Sequence, residues 1–478
     1  MASILDALNI AKLALSAQQY GMNVSQRNTV NVNNPNYTRQ DVLFTDLTVP
    51  STWSAFGTPG VELWAVRNRY LDRSISYELP ALYENIVKYN SLREIDAILQ
   101  GTSGGGLGST IAEFFNSFTE LSNNPTSSAL RWQTIAQANA MSDEFNRIYN
   151  EIQRVQNAAN LHIERILDEV NVLTAKIADL NGRIEIAHTH GEMETEYAFR
   201  DERQQYIEEV ESKIGLLFFE TESGSITVTT KNGDAIVLGK TSYLLVPGSG
   251  PSSGSHFSDI FLAMQDPNTG KVTQLKNITD TVNSGQIGGG EIGGYLQLRD
   301  ELIPGYLTTL DEMAIDIVNK VNLAHAAGAG LDGTTGIDFF DPVTIPLLPS
   351  DPPPARSIKV SDIIVADPDK IAAAAAGGGV GDNKNAILLG EIGINARYGE
   401  TYAALIYRVG TDQAAAQKDG DNQQSILNQL LSQRNSENGV SLNEEAINLI
   451  KYQRAYQASS RIVSVLNALS AEVLNFVR

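Results

Sequence analysis

The sequence predicts a mainly α protein with a β-rich insertion (α+β), in which heptad helices from the two chain ends pair as a coiled coil around a long helical rod that carries a small β domain. Three observations predict it. Each end holds a heptad stripe of apolar residues; residues 127–186 keep an apolar track at steps of three and four; and residues 216–277 switch to alternating and β-branched runs. The expected domains are 1–40 with 436–478 as a terminal coiled-coil assembly domain, 41–215 with 285–435 as a helical rod domain, and 216–284 as a β-rich insertion.

In the first helix Ser3 and Asp6 form an S-x-x-D capping pattern, and Ile4, Leu8, Ala11, Leu15 and Met22 repeat at heptad spacing, with Gln18 the polar exception. The helix is expected to end near residue 31, before the turn of Asn33, Asn34, Pro35 and Asn36. Residues 40–66 read as extended segments (DVLFTDL, GVELWAV) around a turn-rich stretch. Helices follow at about 69–100, with Pro80 set against its continuity, and at about 109–121, after the glycine-rich linker 101–108.

The rod track runs through Ala138, Met141, Phe145, Ile148, Ile152, Val155, Ala159, Ile163, Ile166, Val170, Leu173, Ile177, Leu180 and Ile184. One double step of four at Ala159 reads as a stutter. A helix over 196–214 can fold back on this rod. Strands follow (ITVTT, AIVLG, YLLV, IFLAM), with Asn232-Gly233 as a hairpin turn. Helix returns over 294–327 with a kink expected at Pro304; 341–381 is loop-rich; and a helix covers about 400–435.

At the C-terminal end Gly439 breaks the preceding helix, and Ser441 with Glu444 repeats the capping box. Leu449, Tyr452, Tyr456, Val463, Leu466, Val473 and Val477 share one heptad track, widened by Ile462, Val465, Leu469 and Phe476. A helix with so broad a stripe must pack on something. Burying one Leu, Ile or Val side chain contributes about 1.5–3 kcal/mol, whereas an isolated amphipathic helix is marginal in water. Two readings are open: the ends pair with each other and with neighbouring copies, or they form an ordinary bundle within one monomer.

Composition narrows the function. The 478 residues are 42% hydrophobic and 19% charged, a normal globular balance, and 35 Lys and Arg against 56 Asp and Glu give a formal charge of −21. With no basic stripe, nucleic-acid binding and attraction to anionic membranes are disfavoured. The absence of cysteine excludes disulfides, Cys-ligated metals and thiol chemistry. It fits chance, and it fits a chain that crosses an oxidising boundary unfolded. No apolar run reaches the roughly 18 residues of a membrane span, and the N-terminus lacks the basic region and continuous apolar stretch of a Sec signal. No cofactor is expected.

Several fragments resemble enzyme motifs in spelling alone. The G-x-S-x-G match at 250–254, near His256, lies in a Ser/Gly/Pro loop and lacks the strand–turn–helix of a nucleophile elbow. Gly239-Lys240-Thr241 sits one residue out of P-loop register, within predicted strands. His188 and His190 with Glu192, Glu194 and Glu196 read as a polar turn, and Asp332 with Asp338 lack EF-hand spacing.

Residues 28–40 (NTVNVNNPNYTRQ) resemble the Asn-rich motif of flagellar rod and hook proteins through Asn33, Pro35 and Tyr37. Asn34 and Asn36 replace the usual Thr and Gly, where Asn tolerates the left-handed conformation. Residues 434–457 (RNSENGVSLNEEAINLIKYQRAYQ) resemble the signature of the hook-associated protein 1 family, with Gly439, Tyr452, Gln453, Tyr456 and Gln457 as the matching positions. The segments GGEIGGYLQLRD at 289–300, Val321-Asn322, His325 and GLDGTTGIDFF at 330–340 resemble that family too.

The resemblance implies a non-enzymatic structural subunit outside the cell, at the junction of hook and filament. It implies a helical ring of copies, contacts with the hook protein and the second hook-associated protein, and flagellar type III export without a cleaved Sec signal. It also implies a cytoplasmic export chaperone on the C-terminal helix, and neither nucleic acid nor membrane insertion. Within the same class the alternative is another axial protein, the hook subunit or the second junction protein; from another class, a secreted hydrolase built on Ser252.

Overall fold

A computed structural model describes residues 2–34, 36–47, 58–101, 106–221, 223–231, 233–248, 257–266, 268–279, 289–343 and 351–476; of 2, 3, 45–47, 58–60 and 474–476 it describes the backbone only. The chain opens with α1 (Ala2–Val30), then a hairpin of β1 (Gln40–Leu47) and β2 (Thr58–Ala65) that pairs Gln40 with Ala65 and Leu47 with Thr58. Helices α2 (Arg69–Gln100), α3 (Gly106–Asn123), α4 (Ser128–His190) and α5 (Met193–Lys213) follow.

The β-rich part comprises β3 (Leu217–Glu220), β4 (Ile226–Thr229), β5 (Ala235–Leu238) and β6 (Thr241–Ser242) in one antiparallel sheet, and β7 (Leu244–Gly248), β8 (Asp259–Gln265) and β9 (Val272–Asn277) in another. The chain then returns through α6 (Gly290–Gln297), α7 (Ile303–Ala326), the short pair β10 (Gly328–Ala329) and β11 (Ala374–Ala375), with α8 (Pro354–Ser357) and α9 (Asp362–Ala366) between them. It ends in α10 (Lys384–Ala396), α11 (Tyr398–Asn438) and α12 (Leu442–Phe476).

The 63-residue α4 spans about 95 Å at 1.5 Å per residue. Every residue of the predicted rod track is buried, but the track does not face a single partner helix. Up to Val155 it lies in one core, with α2, α3, α7 and Phe339–Phe340; from Ile163 to Ile177 it lies in a second, with α5, α6 and the two sheets. The stutter at Ala159 falls where one core gives way to the other. A polar layer marks the spot: Gln156 Nε2 donates to the Arg299 carbonyl (2.7 Å), and Arg299 donates to Asn160 Oδ1 (2.7 Å).

One expectation about proline needs correction. Helix α2 runs unbroken through Pro80, which is buried and faces Gly289 at the start of α6, so packing offsets the missing hydrogen bond. Pro304, where a kink is expected, lies in the first turn of α7, straight after a five-residue π-helical turn (Leu298–Leu302), so its absent N–H falls at an irregularity of the helix. Helix α10 lies beyond the loop-rich stretch and ahead of the helix expected from residue 400; Arg397, the one non-glycine residue with positive φ among those described, separates it from α11.

Candidate assembly interface

Helices α1 and α12 run antiparallel, pairing Asn28 with Glu445 and Gly21 with Tyr452. Of the predicted seam, Ala11 and Tyr452 are buried; Ile4, Leu8, Leu15, Met22, Leu449, Val463, Leu466 and Val473 are half-buried; Tyr456 is exposed; and Val477 lies outside the described residues. The deepest burial in α1 follows Ala17, Gly21, Val24 and Asn28, one position off the Gln18–Met22 track. The reason is a third layer: the hairpin packs on the same side of α1, and Phe44 meets Tyr452 at 5.9 Å between ring centroids. Gly21 admits this layer, because a Cβ there would stand 3.1 Å from three atoms of the Tyr452 ring. A glycine in mid-helix was the sequence signal for that close approach.

The caps differ from one another. Helix α1 already begins at Ala2, so Ser3 lies inside it rather than ahead of it, and the Ser3 side chain is outside the described residues; Asp6 is exposed. At α12 the Ser441 hydroxyl accepts from the Glu444 N–H (3.4 Å), which is half of a capping box. The Glu444 carboxylate turns away to Arg39 (2.6 Å).

The asparagine-rich motif forms the joint between the paired ends and the body. Asn28 is 1% exposed and fully satisfied: its Nδ2 donates to the Gln40 carbonyl and to Glu445 Oε1 (2.8 Å each), and its Oδ1 accepts from the Gln40 N–H (3.1 Å) and the Tyr37 hydroxyl (2.8 Å). Burial pushes the Tyr37 pKa up to about 12, so the hydroxyl stays a donor. The left-handed conformation expected where Asn36 replaces Gly depends on Pro35, outside the described residues. Asn34 Oδ1 accepts from the Asn36 N–H (3.2 Å), an Asx turn. Asn33 is exposed, and Pro35 lies outside the described residues.

Toward the body, Asp201 accepts from the Thr38 N–H (3.0 Å) and hydroxyl (2.7 Å); burial raises its pKa despite these bonds. Arg27 pairs with Glu194, and that hydrogen bond holds the Glu194 carboxyl below its usual range. The Arg39 N–H donates to the Asn438 carbonyl (3.1 Å), and Gly439 closes α11 on the Asn435 carbonyl (2.9 Å), where a Cβ would collide with that oxygen. A polar cleft of about 380 Å³ remains among Asn31, Tyr37, Asp201, Gln204, Arg434 and Asn438. Among the described residues, none of the three apolar cores reaches α1 or α12. Gln453 and Gln457 are exposed.

The enzyme-like fragments resolve into local structure. His188 Nδ1 lies 3.1 Å from buried Glu196, which Arg200 also grips (2.6 and 2.9 Å). Lys240 sits in the β5–β6 turn and pairs with Glu185 (3.0 Å). Asp332 accepts from the Thr334 N–H and hydroxyl (2.9 and 2.6 Å), which lower its pKa. The motif at 250–254 lies outside the described residues, as does His256. Among the described residues no group of three or more His, Asp or Glu is placed to hold a metal, and no helix is long and apolar enough to cross a membrane.

Fold and site together define a structural protein organised around its paired chain ends, the arrangement of an axial protein. Residues 92–340 match the family model described as flagellar hook-associated protein FlgK helical domain, and 432–476 match that of the flagellar basal body rod FlgEFG protein C-terminal region. The chain belongs to the flagellar hook-associated protein FlgK family. It is similar to flagellar hook-associated protein 1 of Bacillus subtilis (27% identical, 99% of each chain covered) and of Escherichia coli (23% identical, 98% of this chain and 99% of the relative). Its fold is similar to that of the flagellar hook junction protein FlgK from Burkholderia pseudomallei, with a TM-score of 0.65 at 13% identity, covering 76% of this chain and 99% of the other. This membership makes the chain a structural component of the flagellum.

Proposed function

We propose that the chain is a non-enzymatic subunit of the hook–filament junction that assembles into a ring of copies through its terminal helices. One observation carries this reading. The α1–α12 pair buries one apolar stripe and leaves Leu5, Leu13, Ile447, Ile450, Ile462, Val465 and Leu469 exposed. An exposed apolar face of that extent marks a contact surface.

Charge supports the same surface. Helix α1 holds Asp6 against Lys12 and Arg27, and α12 balances Glu444, Glu445 and Glu472 with Lys451, Arg454 and Arg461, in a chain of net charge −21. Copies therefore approach most easily at their ends. In this reading 1–40 with 436–478 forms the inner assembly part, and 41–215 with 285–435 carries the insertion 216–284 outside. The hook protein and the second hook-associated protein lie on either side. A cytoplasmic chaperone covers the C-terminal helix until the unfolded chain leaves, with its N-terminus retained, through the flagellar type III route. A chain without cysteine suits such passage.

A strain lacking the gene tests the proposal. Bare hooks by electron microscopy, with free flagellin in the medium, are expected; normal filaments would overturn it. A second reading, a hook subunit, draws on the rod-protein match over 432–476, and a strain with no hooks at all would select it.

A further inference from the structure

We propose that copies meet head to tail, with the outer face of α12 of one copy seated in a groove between α1, β2 and the α4–α5 turn of the next. The inference rests on the self-assembly reading above and adds the place of contact.

The groove has a volume of about 650 Å³, and its apolar lining comes from Leu13, Ala17, Tyr20, Val61, Leu63 and Met193. Its rim is acidic. Glu194 is paired with Arg27, but Glu62 and Glu192, which also line the groove, are exposed and form no ion pair among the described residues.

The face that fits it lies on α12. Ile447, Ile450, Ile462 and Val465 are 66%, 52%, 53% and 58% exposed. At about 100° per residue they fall within one arc on the far side of the helix from the Leu449–Tyr452–Tyr456–Val463 seam. All three basic residues of the helix, Lys451, Arg454 and Arg461, fall in the same arc; each is exposed and none forms an ion pair among the described residues. No acidic residue interrupts this arc between Ile447 and Val465. An apolar ridge studded with bases thus matches an apolar groove rimmed with acids, in a chain whose remaining surface is strongly negative.

The match cannot be made within one chain, because the ridge points away from α1. Groove and ridge are different surfaces of each copy. Passed on from copy to copy, as the self-assembly reading requires, such a contact generates rings or helices rather than a closed pair.

The absence of native cysteine makes the test direct. Full-length Leu13→Cys chains are mixed with Ile450→Cys or Val465→Cys chains, circular dichroism confirms that each is folded, and assembly is followed by sedimentation. Ile450 and Val465 stand about 22 Å apart along α12 at 1.5 Å per residue, too far for position 13 to reach both, so the expected result is disulfide dimers in one of the two mixtures and none in any variant alone. Arg454→Glu is expected to weaken assembly at least tenfold, with Glu62→Lys restoring part of it. Assembly without a cross-link from position 13 to α12 would overturn this contact and leave the self-assembly reading standing. Cross-linking of one variant with itself would overturn the head-to-tail arrangement. Chains that never sediment as oligomers, while another protein occupies the groove, would overturn both.

Discussion

Glu211 offers the sharpest test of the packing inside the body. It lies in α5 at 0% exposure, and neither carboxyl oxygen has a hydrogen-bond partner of ordinary geometry. It faces Ser76 of α2, one turn before Pro80, whose missing N–H leaves the Ser76 carbonyl without its helical partner. Burial pushes the Glu211 pKa up to about 8, Glu208 and Asp72 push the same way, and Ser76 and Arg434 only partly oppose them. The folded chain therefore holds a proton that the unfolded chain, with an ordinary carboxyl near 4.5, gives up. The stabilising contribution is whole below pH 4.5 and falls by about 1.4 kcal/mol per pH unit as pH rises toward 8. By pH 9 roughly 5 kcal/mol is lost, as an order of magnitude. Glu211→Gln removes the titration and adds only a constant, pH-independent change from burying an amide. Urea unfolding of both proteins at pH 5, 7 and 9 is the assay: the variant's stability relative to the parent should climb steadily with pH. Parallel curves, with a constant difference, would refute a buried neutral carboxyl at this site.

Three further outcomes are expected. Asn28→Ala removes four hydrogen bonds and leaves Glu445 buried without its donor, so the terminal pair should lose about 2–4 kcal/mol; thermal melts should show its transition lowered and that of the body unchanged. Gly21→Leu, forced against the Tyr452 ring, should cost about 1–3 kcal/mol in the same melt. His325 is buried and neutral: its Nδ1 faces the Ile337 carbonyl (2.7 Å), its Nε2 accepts from the Ala372 N–H (2.9 Å), and burial lowers its pKa to about 4. Its contribution is whole above pH 6.5 and disappears as pH falls toward 4, about 3 kcal/mol in all, so His325→Gln should flatten the acid limb of a stability–pH profile.

Much of the helical framework was legible because its signals are periodic. The α4 track persists from Ala138 to Ile184, and no short-range accident imitates that. Sequence spacing could not say that α4 serves two cores in succession, since a stripe records that a face is covered and not by what. The register of α1 shows the same limit. Heptad counting places Leu15 and Met22 toward a partner, but a second neighbour, the hairpin, draws burial onto Ala17, Gly21 and Val24. Helix α10 was hidden because it follows directly on the loop-rich, Ala/Gly-rich stretch and is short, thirteen residues from Lys384 to Ala396. The joint was visible as a motif, but its wiring was not, because each bond in it joins residues far apart in the chain.

That distance explains why the joint is built as it is. Asn28 and Glu445 stand 417 positions apart, and closing so long a flexible loop would be entropically unfavourable if the two helices had to find each other unaided. The body removes that cost by bringing Arg39 against the Asn438 carbonyl, so each terminal helix leaves it from neighbouring points. The helices then need only a narrow seam and one polar knot, Asn28, to set their register, and a single buried polar contact suffices to fix register in paired helices. The dependence runs one way. Among the described residues the body owns three apolar cores and loses none of them if α1 and α12 separate, whereas the terminal pair has no comparable core. A module so weakly held by its own chain, and so apolar on its outer face, gains stability from any partner that covers it.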